Sequence, residues 1–213
     1  MKKLKKNYNI KSIAYYHIVN NMKEYISVIL VFLISIIIGV IVINNSNDAQ
    51  IAQISNYLNN FINTLKEYGN IDKSNLMIET ILNNIYIVLA LWFVGSTVIG
   101  MPLIYGIIAY KGFCLSYTIS AVVITFGNLN GAIFSICSIL LQNLIYIPCL
   151  LAISVSGIRL YKSIMKDRRR ENIKMELLRH TIFSVIFGIA IIIGTLVETY
   201  ISTYLILQCI NWI

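Results

Sequence analysis

Residues 138–150 read SILLQNLIYIPCL, an apolar run that carries two adjacent amides, Gln142 and Asn143, and then Pro148. In a soluble protein these residues would mark a helix end. In a membrane they demand partners, because hydrocarbon offers no water to a free amide or to the carbonyl that proline leaves unbonded. Which solvent surrounds this stretch therefore decides the fold.

The rest of the chain answers. Of 213 residues, 58% are hydrophobic and only 12% charged, where a soluble domain carries about 25% charged residues. The stretches 25–43, 81–110, 113–130 and 131–158 contain no charge, and 181–213 contains one, Glu198. A helix needs roughly 20 apolar residues to cross the hydrocarbon core. The pattern predicts an all-α polytopic transmembrane bundle with spans near 25–43, 83–108, 112–127, 132–158 and 181–205. The lysines before the first span resemble a signal-peptide leader, but the apolar run is too long and lacks a small-x-small cleavage site, so it reads as an uncleaved span. Cys114, Cys137, Cys149 and Cys209 all fall in apolar segments. None has metal-ligand spacing, and they read as small buried hydrophobes.

Lysine and arginine set the expected orientation. The first 24 residues hold six lysines against Glu24, and the connection 159–180 holds Arg159, Lys162, Lys166, Arg168, Arg169, Arg170, Lys174 and Arg179 against three acids. Both are expected to be cytoplasmic, with 44–80 outside, a short inner turn at Lys111 and Gly112, and the C-terminus outside. A juxtamembrane basic loop fits anionic lipid headgroups, so membrane lipids are expected partners and nucleic acid is not. In the outer loop, Ile51, Ile54, Leu58, Phe61 and Leu65 recur every three or four residues. They predict an extracytoplasmic amphipathic helix whose seam lies in headgroups, packs on the spans or holds a partner protein.

On a helix, Ser135, Ser138, Gln142, Ile145, Cys149, Ala152 and Ser156 form one small or polar line, the kind of surface by which membrane helices associate. Gln142 and Asn143 are expected to face other helices, and one of them to donate to the Leu144 carbonyl that Pro148 frees. Gly95, Gly100 and Pro102 punctuate the second span, and Gly112 opens the third. The first span is expected to be peripheral. Glu198 is read as an interfacial structural residue, with partner binding and ion handling as alternatives. No glycine-rich phosphate loop, HExxH or nucleophile–base pair occurs, so no catalytic residue, metal or cofactor is expected.

LWFVGSTVIGMPLIYGIIAYKG at 91–112, LLQNLIYIP at 140–148 and LVETY at 196–200 resemble the stage II sporulation protein M family. The resemblance extends over essentially the whole chain. It implies a non-enzymatic membrane scaffold for engulfment, in the mother-cell membrane. Its implied partners are stage II sporulation proteins D and P, peptidoglycan hydrolases acting outside the membrane. A homo-oligomer is compatible with this. The main alternative is a transporter or permease subunit with a pathway near Gln142, Asn143 and Glu198. A weaker third is a lipid-interacting structural protein working through the basic loop.

Overall fold

The computed structural model of the chain describes residues 18–68, 73–97, 99–166 and 170–210. The side chains of Leu65, Gln142 and Glu198 lie outside the described set, although their backbones are helical. The elements are α1 (Met22–Asn44), α2 (Asp48–Tyr68), α3 (Lys73–Gly95), α4 (Gly100–Phe126), α5 (Asn128–Ser135), a π turn (Ile136–Leu140), α6 (Leu141–Lys166) and α7 (Arg170–Ile210). Five of the helices hold spans long and apolar enough to cross a membrane: Met22–Asn44, Met77–Gly95, Gly100–Phe126, Asn143–Met165 and Ile173–Ile206. The protein is an all-α polytopic bundle and a multi-pass membrane protein.

Cross-helix contacts establish the helix directions. The hydroxyls of Ser27 on α1 and Tyr105 on α4 lie 2.8 Å apart, and farther along, Gly39 faces Ser116. So α1 and α4 are parallel. Trp92 Nε1 donates to Thr181 Oγ1 at 3.1 Å and Asn84 Nδ2 to Thr195 Oγ1 at 3.0 Å, so α3 and α7 are antiparallel. Gly157 faces Ile104 while Lys111 lies over Tyr146, so α4 and α6 are antiparallel. At one end of the bundle Lys162 Nζ meets Glu24 Oε1 at 2.7 Å, and Glu176 bridges Arg159 and Arg179 at 3.0 and 2.9 Å. The start of α1 and the α6–α7 hairpin therefore share an end. Exposed pairs of this kind add little stability, but they mark the level at which the helices leave hydrocarbon.

α6 is the axis of the bundle. In the most apolar 18-residue stretch of its span 61% of residues are buried, against 28% in the same length of α1 and of α4. From Leu150 to Leu160 the burial goes almost all the way round, which is the signature of a helix surrounded by others. The small-polar line is thus only part of a wider contact surface. Ser135, Cys149, Ala152 and Ser156 are buried, whereas Ile145 is 37% exposed.

Three expectations change. The break between the second and third spans falls at 96–99, not at Lys111 and Gly112, which lie inside the 27-residue α4. Pro102 therefore does not kink a span. It sits in the first turn of α4, where a missing N–H costs nothing. Ser96 Oγ donates to the Trp92 carbonyl at 2.9 Å and Thr97 Oγ1 to that of Val94 at 2.8 Å, satisfying carbonyls at the end of α3. A β-carbon on Gly100 would strike the Val94 carbonyl, so glycine permits the tight return.

α1 is not peripheral either. It makes the most extensive helix pairing in the bundle, with α4. Ser35 and Gly39, four residues apart, form a small-xxx-small surface against Gly112 and Ser116, which lets the backbones approach closely.

The fourth span is not one regular helix. α5 turns back at Gly127, whose φ of +83° suits glycine, and is joined through the π turn to α6, which runs to Lys166.

The seam of α2 packs on the bundle end opposite the salt bridges. Ile51, Ile54 and Ser55 lie against Ala121, Ile124 and Thr125 of α4. Ser55 and Thr125 hydroxyls are 3.1 Å apart, and Leu58 joins Ile62 in a cluster with Val122 and Phe134. The buried register is completed by Ile62, 4% exposed, and not by Phe61, 46% exposed. These two neighbours straddle the same stripe, and α4 lies on the Ile62 side.

Candidate functional site

Lys111 is the unexpected residue. Its helix neighbour Gly112 meets Phe32 and Ser35 of α1, with a notional β-carbon 2.8 Å from the Phe32 carbonyl oxygen. Phe32 and Ser35 are central in α1, and Lys111 is near the centre of α4. At 1.5 Å per residue the ammonium group hangs from a point roughly 16 Å from the start of α4 and about 22 Å from its end. An ionisable side chain at that depth marks a functional candidate.

Its surroundings are polar for a membrane interior. Lys111 Nζ lies 5.3 Å from the centroid of the Tyr146 ring, a cation–π distance. Lys111, Tyr146, Asn84, Asn143, Cys114 and Thr118 line a cavity of about 280 Å³ between α1, α3, α4 and α6. Tyr146 is 7% exposed, and its buried hydroxyl has no hydrogen-bond partner. Among the described residues no carboxylate forms a salt bridge with Lys111. The cavity thus combines a cation with an unused donor, and both suit an anionic group.

The amide of Asn143 does a different task from the one its distance to Pro148 suggests. Its Nδ2 donates to the Ile139 carbonyl at 2.7 Å, and Ser138 Oγ donates to the Phe134 carbonyl at 2.7 Å. A π turn widens the helix and disturbs the i→i−4 ladder, so these side chains patch carbonyls at the disturbance and not at Leu144. Pro148 lies within α6 and is exposed. Replacing Asn143 with leucine leaves the Ile139 carbonyl without its side-chain donor, at an expected cost of about 1–3 kcal/mol. Hydrogen exchange of the amides at 139–147 should accelerate, while exchange at 150–158 stays slow.

A second polar point ties three helices together. His180 is buried; its Nδ1 is 3.1 Å from Ser156 Oγ and its Nε2 3.3 Å from the Trp92 carbonyl. Gly95 and Gly157 make room for the ring. A β-carbon on Gly95 would come within 2.8 Å of His180 Nε2 and 2.9 Å of Gly157 Cα. Both histidine nitrogens are engaged with neutral groups, which suits a packing role better than proton transfer.

Of the residues singled out from sequence, Asn143 reaches the cavity, Gly112 packs against Phe32, the α1 residue that lines it, and Gly95 forms the histidine junction. Gly100 and Pro102 shape the 96–99 return. Ile51, Ile54 and Leu58 pack on the spans, and Phe61 is exposed. Lys111, Tyr146 and Asn84 escaped sequence reading. The available signal was a lone lysine joining two charge-free runs, 81–110 and 113–130, which also reads as one through-going span with a buried charge. Among the described residues no group of three His, Cys, Asp or Glu could hold a metal ion.

No curated protein and no solved structure matches the chain. A family model, Stage II sporulation protein M, matches residues 28–203. That range covers the three middle spans whole and most of the first and fifth, with the amphipathic helix α2, the 96–99 return and the Lys111 cavity, and on it the chain belongs to the stage II sporulation protein M family.

Proposed function

We propose that this sporulation-family membrane protein is a non-enzymatic scaffold that positions peptidoglycan hydrolases during engulfment, in the mother-cell membrane. Stage II sporulation proteins D and P are the proposed clients. In this reading the end bearing Lys162, Glu24 and Arg159 is cytoplasmic, as its excess of basic residues favours, and α2 lies on the outer face, where the wall is.

The observation that carries the reading is the position of α2. Its apolar seam is already used against α4, so the helix is held as a platform, and Tyr57 and Phe61, 74% and 46% exposed, face away from the described bundle. Exposed aromatics on a rigid element are characteristic anchors for protein partners. Charging Leu58 would damage packing and confuse the test, whereas Tyr57→Glu with Phe61→Glu changes only the outer face. The double variant is expected to stay in the membrane at normal abundance and to lower co-purification of the two hydrolases about tenfold. Full recovery of both from sporulating cells would show that α2 does not position them.

The permease alternative draws on the same interior polarity. Of Gln142, Asn143 and Glu198, only Asn143 has a described side chain, and it lines the Lys111 cavity.

A further inference from the structure

We propose that the Lys111 cavity is the seat for a carboxylate carried by a partner protein's transmembrane helix. It deepens the scaffold reading and rests on it, since the helix would belong to a protein the scaffold holds.

The argument starts from depth. Lys111 lies near the middle of α4, level with Phe32 and Ser35 of α1, so its side chain cannot snorkel to either headgroup layer. The Tyr146 ring at 5.3 Å offsets only part of the desolvation of an ammonium. Beside it the Tyr146 hydroxyl is buried and unpaired. Asn143 commits one amide hydrogen to the Ile139 carbonyl and carries a second. An ammonium, a phenol and an amide converging on a cavity of about 280 Å³ make a donor set that a carboxylate completes.

The same depth selects the carrier. A phospholipid headgroup faces the distance that Lys111 cannot span, and a free anion would shed its whole hydration shell on the way. A carboxylate on a transmembrane helix arrives with its backbone hydrogen bonds closed and apolar neighbours on either side. Thr118 lines the cavity and is itself exposed, so the open side faces laterally, where a helix would lie.

The test uses the full chain in phosphatidylcholine vesicles, with resonance energy transfer to a polyleucine transmembrane peptide bearing one central Glu. The Glu peptide is expected to bind about tenfold more tightly than the same peptide with Gln. Lys111→Met should remove that preference, Lys111→Arg should retain it, and Tyr146→Phe should weaken it. Size-exclusion profiles and retained Tyr57/Phe61 behaviour separate a lost site from a lost fold. Equal binding of Glu and Gln peptides, or an unchanged preference in Lys111→Met, overturns the proposal. So does a Glu peptide that binds only after Glu198→Gln, because the counter-charge would then be internal. Lys111-dependent capture of labelled oleate without peptide binding would assign the seat to a fatty acid and overturn the choice of a helix. Peptide binding that persists in the Tyr57→Glu, Phe61→Glu variant, with hydrolase recovery unaffected by that variant, would sink the α2 platform and leave the cavity assignment standing.

Discussion

Gly157→Leu is expected to destroy the bundle where α3, α4, α6 and α7 converge. The β-carbon alone would lie 2.9 Å from Ile104 Cδ1, 3.2 Å from Gly95 Cα and 3.4 Å from His180 Cε1. Ile104 can shift its terminal methyl, but the α3 backbone cannot move without disturbing the hydrogen bond between Trp92 and Thr181. Overpacking in a filled core costs about 1–3 kcal/mol for small additions. Gly157→Ala should therefore lower the thermal midpoint in detergent, and Gly157→Leu should remove the monodisperse species. Gly106→Leu is the control: its notional β-carbon meets nothing within 4 Å, and its effect should stay within about 0.5 kcal/mol. Equal tolerance of leucine at 157 and 106 would mean that α3, α4, α6 and α7 do not converge as described.

The second large effect is expected at Gly112, where α1 crosses α4. A side chain there meets the Phe32 carbonyl oxygen at 2.8 Å and the ring Cδ2 at 3.0 Å. The first contact is backbone, so relief requires α1 to move as a body. Cysteines placed at 27 and 105 in a cysteine-free background, where native hydroxyls sit 2.8 Å apart, report on that movement. Gly112→Leu should lower their crosslinking about tenfold, the response to roughly 1.4 kcal/mol. Gly39→Leu should act alike, since its β-carbon would collide with Ser116 Oγ. Undiminished crosslinking in both variants would remove the close α1–α4 crossing.

These glycines show how far the sequence could be read. The five spans were legible because charge-free runs of about 20 residues have one stable solution in lipid. The amphipathic nature of α2 was legible from its three- and four-residue spacing. Its buried register was not, because Phe61 and Ile62 share a stripe and the position of α4 chooses between them. The first span read as peripheral because the partners of Ser35 and Gly39, Gly112 and Ser116, lie in another helix, and spacing within one helix does not reveal partners.

Lys111 is the sharpest case. A lysine followed by glycine between apolar runs suits a turn as well as it suits a buried charge. The choice depends on where α3 ends, and Gly95, Ser96, Thr97, Gly100 and Pro102 end it well before Lys111. Likewise, the amides in LLQNLIYIP announce unusual backbone. Only the structure shows that Asn143 serves the π turn and that Pro148 is accommodated within α6.

Composition and hydropathy by themselves determined that this chain is an all-α multi-pass membrane protein, because hydrocarbon permits few ways to satisfy a backbone. Tertiary structure alone decided that α6 is the axis, that α1 grips α4, and that Lys111, Tyr146, Asn84 and Asn143 share one cavity. The reason is that each of those facts is a relation between helices, and the apolar pattern of a single helix encodes its solvent but not its neighbours.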